Sequence, residues 1–246
     1  MFLGILVFHK ISNLCNSFFD IDIGEFNKIV ETVKKYGHVI NSFKNIENIV
    51  TNYLTSFLFT FDDGTSDHYS ILLPLLTKHN IKAIFFINSS KINKKNYLSK
   101  KEILELNTHG HQIGSHSHSH INLLTLTNDK VYTDISNSKM IIEDIIGKEI
   151  KWFAPPGGLF NDKILNIAKD IGFTYFRTTK FGLNLIRKGD NLRFFKSLNI
   201  SKYFLSSELN RCLSKKHVYY KYLIKYRLKD TFKKYLPEAY SYLRKQ

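Results

Sequence analysis

The 246-residue sequence has little of several residue types, and each shortage excludes a class of protein. Its two cysteines, Cys15 and Cys212, are far apart and form no metal-binding or redox spacing, so no disulfide framework is expected. Four prolines and twelve glycines leave few places for an interdomain linker. No apolar run approaches the roughly 20 residues that a membrane-spanning helix needs. Residues 1–8 lack a basic n-region and a cleavage site, and we interpret them as a first strand.

Acidic residues are also scarce, with 21 Asp and Glu against 36 Lys and Arg, a net charge of +15. This excess predicts attraction to polyanions such as nucleic acid, an anionic membrane or an acidic glycan, with a solvated basic face as the alternative. No DNA- or RNA-binding motif is recognisable, so nucleic acid is not an expected partner. Basic residues mix with Tyr and Leu in a predicted helical segment over 206–246, which either lies on an anionic membrane or packs against the preceding domain.

Strands and helices alternate through residues 1–205. Apolar runs predict strands at 4–8, 56–61, 82–87, 112–114, 152–153, 174–177 and within 192–200. Helical spacing predicts helices between them, including one with a capping box at Ser99 and Glu102 and a longer one over 128–146 that stops at Gly147. This order indicates the α/β class with a mostly parallel sheet.

Polar residues follow several of these strands directly: His9, Asp62, Asp63, His116 and Pro155. A barrel brings such positions together at one face, whereas an open sheet gathers ligands at a switch point between two strands. The number of contributing strands therefore favours a barrel.

Asp62 and Asp63 are adjacent at a strand end, where neighbouring side chains alternate in direction. One carboxylate can then bind a metal while the other accepts a proton, and Gly64 allows a sharp turn. Taken alone, the pair also fits an Asx turn that closes a strand.

Histidines cluster in the stretch 109–120. His116 and His120, four residues apart, can reach one ion, although the stretch alone also fits a His-rich surface tract that includes His109 and His111. His118 is expected to be a surface residue or to contact the metal ligands without binding the metal itself. Combined with an Asp, two His ligands leave room for water, as in catalytic rather than structural sites.

Three motifs in this order resemble those of the polysaccharide deacetylases of carbohydrate esterase family 4, the chitooligosaccharide (nodulation-type) deacetylase homology group. Residues 60–64 match TFDDG, residues 110–120 match G-H-x-I-G-x-H-S-x-x-H, and residues 153–158 look like F-R-P-P-x-G. The resemblance covers about residues 3–200, and the motifs are specific in combination.

The resemblance implies a distorted (β/α) barrel over 1–205, followed by the basic helical extension 206–246. It implies a metal-dependent hydrolase that removes an N-acyl group, N-acetyl first, from an amino sugar in a polysaccharide, oligosaccharide or lipid-linked glycan. By the match, Asp62 is the general base, and Asp63, His116 and His120 hold one divalent metal. Zn²⁺ is the first candidate, and Co²⁺, Ni²⁺ or Fe²⁺ also suits these ligands.

The third motif departs from the family pattern, because Ala154 stands where the family has an Arg that orients the base. Arg177, at the next predicted strand end, and Lys151 are candidate replacement cations, although both are expected at the surface. Gly157 replaces an aromatic residue, and its N–H can still serve an oxyanion. Gly157, Pro156 and Arg177 are therefore the candidate oxyanion and substrate residues.

The family's late Leu-x-His motif is missing, and His217 lies in the basic segment. Residues 6–9, Leu-Val-Phe-His, resemble the first strand of circularly permuted relatives such as poly-N-acetylglucosamine deacetylases. His9 is therefore the candidate acid that protonates the departing amine, and the alternative is a strand-end His hydrogen-bonded to a neighbouring loop. An inactive family member that only binds glycan is the alternative function, motivated by Ala154. The predicted location is cytoplasmic, including a peripheral position on the inner face of the membrane.

Overall fold

The structure, a computed structural model, describes residues 1–13, 15, 17–43, 55–187 and 193–235, with side chains as far as residue 231. The strands are β1 (Phe2–Phe8), β2 (His38–Val39), β3 (Thr55–Phe61), β4 (Ala83–Ile87), β5 (Gln112–Ser115), β6 (Trp152–Phe153), β7 (Tyr175–Phe181), β8 (Asn184–Leu185) and β9 (Phe194–Asn199). The helices are α1 (Ile23–Tyr36), α2 (Leu73–His79), α3 (Lys100–Thr108), α4 (Asn128–Ile146), α5 (Asp162–Asp170), α6 (Ser206–Ser214) and α7 (Lys216–Tyr235). Residue 192 of the last predicted strand and residues 236–246 of the basic segment lie outside this description.

Seven strands close into a parallel barrel in the order β1-β3-β4-β5-β6-β7-β9, and β9 returns to β1. The short β2 runs parallel to β3, and β8 runs antiparallel to the start of β1. The predicted (β/α) barrel is therefore confirmed. Because all seven strands are parallel, their carboxyl ends meet at one face.

Alternate strand residues form two apolar cores. Phe57, Phe59 and Phe61 of β3 pack between the barrel and the helices, in the larger cluster. Leu58 of β3 joins a smaller cluster inside the barrel with Phe86, and burying each such side chain contributes roughly 1.5–3 kcal/mol. Side chains alternate in direction along a strand. The side chain of residue 60 in β3, that of residue 62 directly after β3, and that of residue 177 in β7 therefore point toward the barrel interior.

The local signals that end the helices are present where expected. α3 has the predicted capping box, with Ser99 and Glu102 each accepting from the other's backbone N–H. α4 covers the predicted residues and ends at Gly147, whose φ of 69° lies in the left-handed region. Both cysteines are free thiols, as predicted from their spacing.

α6 and α7 pack on the barrel. Leu209 and Cys212 of α6 are buried in the larger core, and Tyr222 and Tyr226 of α7 stack on Phe181 of β7. The packing predicted as one alternative for the basic segment is therefore present, while the domain boundary at 205/206 stays a prediction. Within the ranges described, no helix is long and apolar enough to cross a bilayer.

Candidate active site

β3 ends in a sharp turn that separates two carboxylates. The Asp62 N–H donates to the Phe8 carbonyl at 2.9 Å, which keeps Asp62 in line with the barrel. Asp63 and Gly64 then adopt positive φ angles of 75° and 69°. A Cβ on Gly64 would lie 3.1 Å from the Ile87 side chain, in a backbone region that glycine enters most readily. Asp62 is consequently buried inside the barrel, and Asp63 is half-buried at its mouth.

Asp63 lies next to His116 and His120 of the second motif. Its Oδ1 is 2.9 Å from His120 Nε2 and 3.6 Å from His116 Nε2. One ligand atom from each of the three residues lies within 4.8 Å of the other two. Tetrahedral zinc at about 2.0–2.1 Å separates its ligand atoms by roughly 3.3–3.5 Å. The donor set therefore fits one divalent ion, and no second group of this kind occurs among the residues described.

A hydrogen bond orients the His116 ring. Its Nδ1 lies 2.6 Å from the Ala154 carbonyl, so Nδ1 donates and Nε2 presents a lone pair to the cluster. Burial lowers the pKa of His116, which keeps the imidazole neutral, the form that binds metal. Position 154, whose side chain departs from the family pattern, thus supports a ligand through its backbone.

The loop that carries His120 is held by Asp134 of α4. The Asp134 carboxylate accepts the N–H groups of His118 and Ser119, both at 2.9 Å, and the His120 N–H donates to Ser117 Oγ at 3.1 Å. These bonds stabilise a loop in which Ser117 and His120 adopt positive φ angles. Sequence reasoning missed Asp134, although an Asp in phase with the apolar positions of α4 is a signal for a buried acceptor.

The other histidines of the stretch serve the fold. His111 is buried, its Nδ1 accepts the Ala83 N–H at 3.1 Å, and burial lowers its pKa to about 3. His109 Nδ1 lies 2.8 Å from the Glu105 carbonyl, and His118 Nδ1 lies 2.8 Å from Ser89 Oγ. Of the two neighbouring histidines that suggested a surface tract, His109 is exposed and His111 is buried in the fold.

Asp62 is paired with Arg177 inside the barrel. Arg177 Nη2 is 2.5 Å from both carboxylate oxygens, and the guanidinium lies 5.0 Å from the centre of the Phe86 ring. Burial alone raises the pKa of Asp62, but the positive charge of Arg177 outweighs this effect and holds the pKa below its usual value. Asp62 is therefore ionised at neutral pH.

The expectation that Arg177 is a surface residue is wrong, because its side chain is completely buried. The predicted strand ended at Arg177, whereas β7 continues to Phe181, so Arg177 lies within the strand and faces the barrel interior. Lys151, the other candidate cation, is exposed as predicted.

His9 follows β1 at the same face. Burial lowers the pKa of its imidazole, and the nearby charges of Asp62 and Asp63 oppose this shift. The ring stacks on Phe19 with centroids 4.4 Å apart, and its buried Nδ1 has no partner within the part of the chain described. His68 Nε2 lies 2.6 Å from the backbone carbonyl of His9, so the hydrogen bond between His9 and its neighbour involves the His9 backbone and not its ring. The ring is therefore neutral and close to both carboxylates.

The third motif forms a tight turn after β6. Gly157 and Gly158 have φ angles of 61° and 64°, and Pro156 is buried. A Cβ on Gly158 would lie 1.9 Å from Thr179 Oγ1, so the turn is pressed against β7 and only glycine fits. The oxyanion and substrate roles of Gly157 and Pro156 stay predictions.

His217, the histidine of the basic segment, is exposed on α7.

Comparison with known proteins identifies the family. The model of the polysaccharide deacetylase family matches residues 54–176, half of the chain, and this region contains all three candidate ligands and Asp62. The chain therefore belongs to the polysaccharide deacetylase family.

Two curated relatives and one solved structure illustrate the similarity. The putative polysaccharide deacetylase YxkH of Bacillus subtilis is 30% identical over 125 residues, which are 51% of this chain and 45% of YxkH. A peptidoglycan-N-acetylglucosamine deacetylase of Bacillus cereus is 34% identical over 115 residues, 46% of this chain and 52% of that protein. The chain thus spans about half the length of these relatives. The Streptococcus pyogenes deacetylase PplD, solved with acetate, shares the fold with a TM-score of 0.76 at 21% identity, over 87% of this chain and 99% of PplD.

Proposed function

We propose that this chain is a metal-dependent hydrolase that removes an N-acyl group, N-acetyl first, from an amino sugar of a glycan. The observation that carries the proposal is the convergence of Asp63, His116 and His120 beside the ionised, buried Asp62. The name of the Bacillus cereus relative supports N-acetylglucosamine as the sugar.

Asp63, His116 and His120 would hold the metal, with Zn²⁺ as the first candidate and Co²⁺, Ni²⁺ or Fe²⁺ as alternatives. A bound divalent ion supplies Lewis acidity to the amide carbonyl and makes water more acidic. The three side chains follow β3 and β5, and the side chains of His120 and Asp63 are 38% and 30% exposed, so the cluster reaches solvent.

The remaining residues divide the proton transfers. Asp62, ionised and buried, takes the proton from the attacking water as general base. Arg177 positions Asp62 through contacts to both oxygens, and it would replace from β7 the Arg that position 154 lacks. His9 is the candidate acid: its ring is neutral in the resting site, so it would first take up a proton, which the negative charges of Asp62 and Asp63 favour, and then donate that proton to the departing nitrogen.

The alternative is an inactive member that binds glycan, and it rested on the loss of the Arg at position 154. The buried Arg177–Asp62 pair weighs against it, because the base has a cation at bonding distance from a different strand.

Metal content tests the proposal without knowledge of the substrate. We expect one tightly held divalent ion per chain, lost in His120→Ala and retained in the control His118→Ala, whose ring lies outside the ligand cluster. Acetate release from chitooligosaccharides then tests turnover. No stoichiometric metal after reconstitution with zinc, cobalt or nickel would favour the glycan-binding alternative.

The assignment of His9 has its own test. His9→Ala should lower kcat by about 10²–10⁴-fold while metal content is unchanged, since general acid catalysis contributes on that order. His217→Ala, at an exposed position on α7, is the control. Full turnover in a folded, metal-loaded His9→Ala protein would exclude His9 as the acid.

We propose further that the outward face of α7 rests on an anionic membrane surface, at a cytoplasmic, peripheral location on its inner face. Three apolar side chains four residues apart, Tyr220, Ile224 and Leu228, are 58%, 59% and 66% exposed. Basic residues flank this stripe: Lys221, Lys225 and Arg227. This combination is typical of helices that lie in a membrane interface.

Vesicle binding tests the membrane proposal. The protein should float with phosphatidylserine-containing vesicles at low salt and bind neutral phosphatidylcholine vesicles less, because the lysines attract anionic lipid. Ile224→Asp should reduce flotation, whereas Leu104→Asp, at an exposed position on α3, should not. Equal flotation of the two variants, or none by the unmodified protein, would contradict the proposal.

A further inference from the structure

The loop between β1 and α1 presents two aromatic rings beside His9. Ser17 Oγ donates to Asp20 Oδ1 at 2.6 Å, and the Asp20 N–H donates to the Ser17 carbonyl at 3.3 Å, which closes a tight turn. Phe18 and Phe19 occupy the two central positions of this turn. Phe18 is 44% exposed, whereas the ring of Phe19 is half-buried against His9.

A second tight turn follows β9 at the same face. The Phe204 N–H donates to the Ser201 carbonyl at 2.8 Å. Phe204 points into the core, where it contacts Tyr222 of α7, whereas Tyr203 is 71% exposed. The buried Phe204 anchors the turn and holds Tyr203 at the surface.

The two turns are joined into one surface. The Lys202 N–H donates to the Phe18 carbonyl at 3.0 Å. Ring centroids are 5.4 Å apart for Phe18 and Tyr203, 4.8 Å for Phe18 and Phe19, and 4.4 Å for Phe19 and His9. A continuous row of rings therefore runs from the candidate acid to solvent, and we call Phe18 and Tyr203 the aromatic platform.

Exposed aromatic rings held in fixed positions next to a reactive centre are typical of a binding surface. A pyranose ring has an apolar C–H face that can lie on an aromatic ring while its hydroxyl groups stay hydrated. Tyr203 also offers a hydroxyl group at the wet edge of the platform. A neighbouring sugar of an N-acetylhexosamine chain matches this surface in size and in polarity.

We propose that the aromatic platform binds a sugar ring adjacent to the one that loses its acyl group, on the β1 and β9 side of the barrel mouth. This inference rests on the proposed function and deepens it. It adds a contact outside the reactive centre and predicts that the platform strengthens binding only when the substrate has a neighbouring sugar.

Kinetics with substrates of two lengths test the platform. In the metal-loaded protein, Phe18→Ala and Tyr203→Ala should each raise KM for chitopentaose about three- to tenfold, with a smaller change for the disaccharide, because stacking contributes on the order of 1 kcal/mol. Tyr203→Trp, which keeps an aromatic ring at this position, should have the same KM for chitopentaose as the unmodified protein. Tyr132→Ala, at a 53% exposed position on α4, is the matched control and should change neither value.

Direct binding separates the platform from the chemistry. Calorimetric titration with chitopentaose should give weaker binding for Tyr203→Ala than for the unmodified protein and for Tyr132→Ala. Weaker binding without any acetate release would support the platform and contradict the deacetylase proposal. Equal binding and equal KM values across these proteins, or no binding by the unmodified protein, would overturn the platform.

Discussion

The candidate site has two halves that differ in how the chain builds them. One half lies within residues 54–176, where the family model matches. It comes from two short motifs, one with Asp62 and Asp63 and the other with His116 and His120. The other two candidate residues lie outside that range: Arg177, which contacts Asp62, comes one residue after it, and His9 comes well before it.

The difference follows from the reach of local structure. A motif can place two ligands in one loop, because its turn angles and hydrogen bonds are set by a few neighbouring residues. The partner of Asp62 is instead 115 positions away in sequence, and only barrel closure brings the two together. Changes in the two halves should therefore affect different properties: turnover, stability or metal affinity.

The largest effect is expected for the base. Asp62→Asn should lower kcat by about 10²–10⁴-fold, because the amide cannot accept the proton from water. Metal content should stay at one ion per chain, since Asp63 rather than Asp62 belongs to the ligand set. Asp144→Asn, at an exposed position on α4, should retain activity. Metal loss in Asp62→Asn would mean that Asp62 binds the ion.

Removal of the buried cation should affect stability. Arg177→Met should lower the free energy of unfolding by about 3–5 kcal/mol, because it leaves the Asp62 charge buried and unpaired. The pKa of Asp62 is lowered in the folded state, so this contribution is present at neutral pH and disappears as the pH falls through the folded-state pKa.

Chemical denaturation measures this change, with Lys151→Met as the control that removes an exposed charge. The double variant Asp62→Asn with Arg177→Met should recover most of the lost stability, because the unpaired charge is gone. Similar losses in the single and the double variants would show that Arg177 acts through packing alone.

Loss of Asp134, which holds the loop that carries His120, should have an intermediate effect on metal affinity. Asp134→Ala should lower zinc affinity about 10–100-fold, because the backbone of His118 and Ser119 loses its acceptor and His120 is held less firmly. Asp144→Ala on the same helix is the control. Competition with a zinc chelator measures both affinities, and equal values would exclude Asp134 from ligand positioning.

The smallest effect is expected from pH. The hydrogen bond to Asp63 raises the pKa of His120, so a proton competes with the metal as the pH falls through that raised pKa. Zinc affinity should fall by up to about tenfold per pH unit below that pKa. Burial lowers the pKa of His116, so His116 should not contribute there. Chelator competition between about pH 5.5 and 7.5 measures the slope, and a flat profile would contradict this reading.

The barrel class and the ligand cluster were predictable from local patterns in the chain. Apolar runs of period two, helix caps and glycine stops are local, and the structure contains them within a few residues of their predicted positions. Asp63, His116 and His120 converge because each follows a parallel strand, and parallel strands end at one face.

The distant residues that complete the site could not be predicted, because they depend on how the chain packs in three dimensions. The inward position of Arg177 depends on where β7 ends, and that end is set by pairing with β9 across a register shift. The row of rings from His9 to Tyr203 depends on two turns joined by one backbone hydrogen bond. Which side of α7 faces solvent depends on the core that Tyr222 and Tyr226 cover. Such contacts join residues far apart in the chain, and no local pattern encodes them.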